Sequence, residues 1–288
     1  MYRLGRILRK GNRWAPADPS KAYELLKSAA DQEHPKAQYL TGVMSWSGAG
    51  TMKDDESALL YMSLAAESGL AKAQYALGMM FLNGILVDAE VETDPLTAAY
   101  WFKRAVAQGH AKAQYSLACM LLDDNFITRN ETMAAQYYLQ AAEQGHMKAQ
   151  EALGLLFRNG VGVEQDSEVA IYWLTQAANQ DEPNACHTLG LMSRVGEGMP
   201  RSNEWAVKWF TKAADAGHAE AASELGVMTL TGQGTSADEA GAAYWFALAD
   251  DLEGQRGALF GENEDVLPVQ EVSQVTRLRH QLAASSIV

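Results

Sequence analysis

The chain has 288 residues, 48% of them apolar, 20% charged and 9% aromatic, a composition that supports a buried core and excludes a disordered or collagen-like polymer. Its 23 Lys and Arg face 36 Asp and Glu, a formal charge of −13, and so acidic a surface repels phosphate backbones and argues against nucleic acid as a partner. Cys119 and Cys186 make no CxxC pair, which speaks against a disulfide framework or a thiolate metal site.

At the start, MYRLGRILRKG carries no apolar stretch of signal-peptide type, and no later run of about 18 apolar residues could span a membrane. Arg3, Arg6, Arg9, Lys10 and Arg13 precede the first acid, Asp18, and read as a solvated helix face rather than a binding arm. Self-alignment then brings up one unit, seen as AAESGLAKAQYALGMMFLNG at 65–84 and AAEQGHMKAQEALGLLFRNG at 141–160. Its marks fall at Glu33, Gly69, Gly109, Gly145, Asp181, Gly217 and Glu253, spaced 36 apart except for one interval of 40. The four extra residues lie in GILVDAEVETDP, read as a loop, where insertion costs little closure entropy.

Each unit reads as two helices. The first, as over 72–83, places Ala73, Leu77 and Met80 on one face and ends in a loop with two glycines, such as Gly160 and Gly162. The second opens with a cap column, Asp18, Asp54, Asp94, Asn130, Asp166, Ser202 and Asp238, whose side chains can accept from the free N–H groups of the first turn. Seven residues on comes a large apolar column, Leu25, Tyr61, Trp101, Tyr137, Trp173, Trp209 and Trp245, expected to be buried between helices. Alanine columns, Ala37 to Ala221 in the first helix and Ala29 to Ala249 in the second, mark contacts too close for larger side chains.

The pattern AAxxGHxxAQxxLGxMxxxGxGVxxDxxxAxxWxxxAA resembles the Sel-one-like repeat (SLR) family, relatives of the tetratricopeptide repeats, over nearly the whole chain. The resemblance implies an all-α, right-handed α/α solenoid whose first helices line a concave face, and a general role as scaffold or adaptor. About six hairpins are expected, at 33–68, 69–108, 109–144, 145–180, 181–216 and 217–252. They follow a partial repeat at 1–32 and precede a linker and capping helix within 253–288, the helix at about 269–284. Departures are Ala118, the Asp123, Asp124 and Asn125 run, and Asp181. Leu4, Gly5 and Gly11 place the start partway through a first helix, which points to a longer native protein and leaves cytoplasm and periplasm equally open.

His34, His110, His146 and His218 share one column. Hairpins stack about 8 to 10 Å apart while Zn–N bonds are roughly 2.0 to 2.1 Å, so this column reads as helix starts and neither metal nor cofactor is expected. No GxSxG, HExxH, P-loop or SxxK motif occurs, so the chain is not expected to be an enzyme. Binding specificity would lie in the most variable first-helix columns: Tyr39, Tyr75, Tyr115, Glu151, His187 and Ser223, then Trp46, Leu82, Leu122, Arg158, Arg194 and Leu230. Arg158, Arg194 and His187 break the repeat's own pattern and lead the candidates, with Glu151, Tyr39, Tyr75, Tyr115 and Trp46 beside them, although in the family that this chain resembles a tyrosine in this column often simply packs. A row of Lys36, Lys72, Lys112 and Lys148 lies adjacent, replaced later by Asn184 and Glu220. The reading is a non-catalytic module binding an unidentified protein or peptide, with no direct insertion into membrane. Alternatives are a structural spacer in a longer bacterial envelope or signalling protein and, more remotely, a glycan-binding protein or enzyme.

Overall fold

A computed structural model describes residues 1–261 apart from 12, 14, 15, 88 and 89. The capping helix expected at 269–284 lies outside the described residues. Two compact units divide at residues 129 and 130. The first holds α1 (Tyr2–Lys10), α2 (Pro19–Ala30), α3 (Pro35–Ser47), α4 (Asp55–Glu67), α5 (Ala71–Asn83), α6 (Pro95–Val106) and α7 (Ala111–Leu121). The second holds α8 (Glu131–Glu143), α9 (Met147–Asn159), α10 (Ser167–Ala178), α11 (Pro183–Val195), α12 (Asn203–Asp215), α13 (Ala219–Thr231) and α14 (Glu239–Gly261). Within each unit every helix packs on the next in sequence, the α/α solenoid arrangement of stacked hairpins.

The cap column is realised in every copy. Side-chain oxygens accept from Lys21 N, Ser57 N, Thr97 N, Met133 N, Val169 N and Trp205 N at 2.9 to 3.2 Å, and Asp238 takes Ala240 N at 3.1 Å. The backbone N–H and then the hydroxyl of Ser57, and the hydroxyl and then the backbone N–H of Thr97, hold the Asp54 and Asp94 carboxyls respectively below the ordinary carboxylate range. The first-helix alanines, Ala37, Ala73, Ala113, Ala149, Ala185 and Ala221, are all fully buried.

Two elements depart from expectation. The insertion after α5 is no plain loop: β1 (Ile85–Val87) pairs antiparallel with β2 (Glu90–Glu92), in register Ile85 with Glu92, and β-branched Ile85, Val87 and Val91 favour that extended pairing. Helix α14 runs on to Gly261 through the start of the expected linker, because no proline interrupts the chain before Pro268.

The large apolar column is also displaced by one residue. Tyr61 and Trp101 are buried, but Trp173, Trp209 and Trp245 are only partly so. The next position, Leu26, Met62, Phe102, Tyr138, Leu174 and Phe210, is the fully packed one. Apart from Tyr138, whose hairpin carries Ala118 in the glycine column, these side chains face the glycine of their hairpin's first helix: a Cβ on Gly190 would lie 2.5 Å from Phe210 Cε1. The glycine is what lets the two helices of a hairpin approach this closely.

Candidate functional site

The histidine column begins helices, as its spacing implies. Nδ1 of His34, His110, His146 and His218 accepts the backbone N–H of Ala37, Ala113, Ala149 and Ala221 at 3.2 to 3.3 Å. Next to it, glutamines close the preceding helices: Gln38, Gln74 and Gln150 donate to the carbonyls of Ala30, Ala66 and Ala142. In α11 this position is Cys186, whose sulfur lies 4.0 Å from Ala178 O. Lys212 of α12 reaches the same carbonyl and lies 3.1 Å from Asp181. Burial pushes the Cys186 thiol up to about 11, so it is an inert apolar filler rather than a nucleophile. Sequence reasoning missed Lys212, although the loss of glutamine at 186 was a visible signal for a substitute donor.

The predicted binding residues fall into different environments. Tyr115 and Glu151 are 2% and 1% exposed, packed within the protein rather than presented on its surface. Tyr39 is half-buried between two apolar clusters. Tyr75 stacks on His110 at 5.0 Å and leans on Phe102, and Trp46 carries Lys53 over its ring at 5.5 Å. Arg158 donates Nε and Nη2 to both carboxylate oxygens of Glu197 at 2.8 to 3.0 Å. Arg194 pairs with Glu224 and lies over the Phe210 ring.

His187 joins Arg194 around that ring, its centroid 5.6 Å from Phe210, and stacks on His218 at 4.3 Å with 23° between planes. The structure thus gathers His187 and Arg194, both singled out in sequence, on one aromatic side chain, and holds Arg158 in a separate ion pair. Among the described residues, His187, His218 and Glu220 form a group whose possible ligand atoms all lie within 4.8 Å of one another.

The Sel1 repeat model matches seven segments, residues 1–34, 35–70, 71–110, 111–146, 148–182, 183–218 and 219–249. The chain belongs to the Sel1 repeat family. Its solved relatives include a protective antigen of uropathogenic Escherichia coli strains with an SLR fold, at TM-score 0.76 and 27% identity, over 90% of this chain and 56% of that one. A Sel1 repeat protein from Oxalobacter formigenes matches at TM-score 0.72 and 30% identity, over 90% of this chain and 75% of that one. A curated relative, chitin synthase regulatory factor 3 of Schizosaccharomyces pombe, is 36% identical over 107 residues, which is 36% of this chain and 11% of that protein. Sel1 repeat proteins are generally protein-interaction scaffolds, typically non-catalytic, that bind other proteins. No helix among the described residues of this Sel1 chain is long and apolar enough to cross a membrane.

Proposed function

We propose that this Sel1 chain is a non-catalytic scaffold that holds a protein or peptide segment on the face of its first helices. One observation carries the reading. The column that is Trp46, Leu82 and Leu122 in earlier repeats becomes Arg158 and Arg194. Their side chains stay 27% and 31% exposed against Glu197 and Glu224. Both guanidinium groups thus stay partly open to solvent, and a guanidinium can exchange one carboxylate for another that binds it bidentately. That exchange is the support for a role in recognising a partner's carboxylate.

The test is the double variant Arg158→Leu, Arg194→Leu, which installs the residue found at 82, 122 and 230 and so respects the repeat. Glutamate would be a poorer choice, since it would face Glu197 and Glu224. In a quantitative pull-down from lysate of the source organism, proteins captured by the wild type should be lost from the variant, with the melting temperature moving by only a few degrees. Equal capture by both would reject this face.

A further inference from the structure

We propose that His187, His218 and Glu220 form a binding site for one borderline divalent cation, with Zn2+ as the representative ion. The argument begins with what the same place holds elsewhere in the array. In one hairpin the first-helix column supplies Tyr75, and the next hairpin supplies His110 and Lys112. There the tyrosine stacks on the histidine, and Lys112 with Lys72 adds to burial in depressing the His110 pKa. A lysine at that position disfavours any cation.

At the junction of α11 and α13 both positions change together. Tyrosine becomes His187, lysine becomes Glu220, and the helix-starting His218 is retained. Two substitutions against the repeat pattern turn an aromatic stack beside a positive charge into two imidazoles beside a carboxylate. Neither is needed for folding, since the tyrosine and lysine versions fold at the other junctions. Glu151 and Ser223 also vary in the first column, but among the described residues only this junction collects three such groups.

The donor set suits zinc, which accepts imidazole nitrogen and carboxylate oxygen and tolerates three protein ligands with water in the fourth position. Possible ligand atoms lie within 4.8 Å of one another. Tetrahedral bonds of about 2.0 to 2.1 Å place ligands roughly 3.4 Å apart, so the three groups must draw together and the stacked imidazoles must turn out of their stack to aim at one ion. Glu220 is exposed while both histidines are buried, which gives an ion an entry path on the carboxylate side. The carboxylate also offsets the positive end of α13, on which the site stands.

Binding has a defined local cost. His218 Nδ1 accepts from Ala221 N, which leaves the imidazole proton on Nε2. Ligation at Nε2 by neutral imidazole moves that proton to Nδ1, which can then no longer accept, and ligation at Nδ1 displaces the backbone N–H. Either way the α13 cap is exchanged for the metal bond, and the near-parallel rings must shear so that their lone pairs converge. This marks the site as one of modest affinity, responsive to metal supply rather than permanently loaded.

The experiment is equilibrium dialysis of the untagged full chain against Zn2+, with metal counted per chain, for wild type, H187Y and E220K. Each variant installs a residue that the repeat carries at other junctions, and circular dichroism confirms that it folds. The expected result is one ion per wild-type chain. Each variant should weaken binding by at least roughly 10-fold, the lower end of what loss of even an outer-shell partner costs. No uptake by the wild type overturns the proposal and leaves the His187–His218 stack as packing. Uptake equal in all three chains also overturns it, because the ion would then sit elsewhere.

Discussion

Glu33 and Asp181 sit at φ 61° and 63°, where the other repeats place glycines such as Gly69 and Gly145. A Cβ at Gly69 or Gly145 would meet no atom within 4 Å, so the burden on a non-glycine residue there is conformational rather than steric. Left-handed geometry costs an L-residue about 1 to 2 kcal/mol, part of which glycine returns through a more flexible unfolded chain. Glu33→Gly should therefore stabilise by up to about 1 kcal/mol, seen as a higher melting temperature; a fall would refute the strain. Asp181 is a poorer choice for the test because it also pairs with Lys212.

His110 yields a pH prediction. Burial first, then Lys112 and Lys72, lowers its pKa in the folded chain. The unfolded chain takes up the proton near pH 6.5, so the contribution of neutral His110 is held above that pH and lost as pH falls below it. His110→Asn retains a side-chain acceptor for the cap without titrating. Thermal melts between about pH 7 and pH 5.5 should show a shallower decline for this variant than for wild type, and parallel declines would reject the role. That these histidines start helices was legible from their column. Packing of Tyr115 accords with the packing reading of its column, but that Glu151 is inside was not legible, because a variable column reveals freedom from the repeat but not exposure to water.

At the scale of the helix, hairpins close through a glycine facing a large side chain. Gly190→Ala sets its Cβ against the Phe210 ring in a fully packed core and should cost about 1 to 3 kcal/mol, measured by denaturant unfolding; no loss would mean that α11 and α12 can separate freely. Helix ends follow a second rule, in which a glutamine reaches back to the preceding helix, and Lys212 takes over where Cys186 interrupts it. Lys212→Met should lose about 1 kcal/mol by removing a donor from Ala178 O, which keeps the Asp181 N–H, together with the pair to Asp181. Adding Cys186→Gln should recover most of it. Failure of the second change to rescue the first would show that the two donors are not equivalent.

Across the whole molecule, contacts run between sequence neighbours within each unit, so perturbation should spread only to adjacent hairpins. In Gly190→Ala, amide hydrogen exchange should quicken in α9 to α13 and stay unchanged in α2 to α5; a uniform change would indicate a single cooperative block. The sequence by itself determined the repeat length, the two helices of each hairpin, their caps and the alanine contacts, because each follows from a local rule restated in every copy. Only the tertiary structure decided which side of the second helix is buried, what answers Arg158 and Arg194, and that His187 meets His218 from the next hairpin. The first of these is set inside one hairpin by a close approach that periodicity does not reveal, and the other two depend on how one hairpin lies against another, some 30 to 39 residues away in the chain.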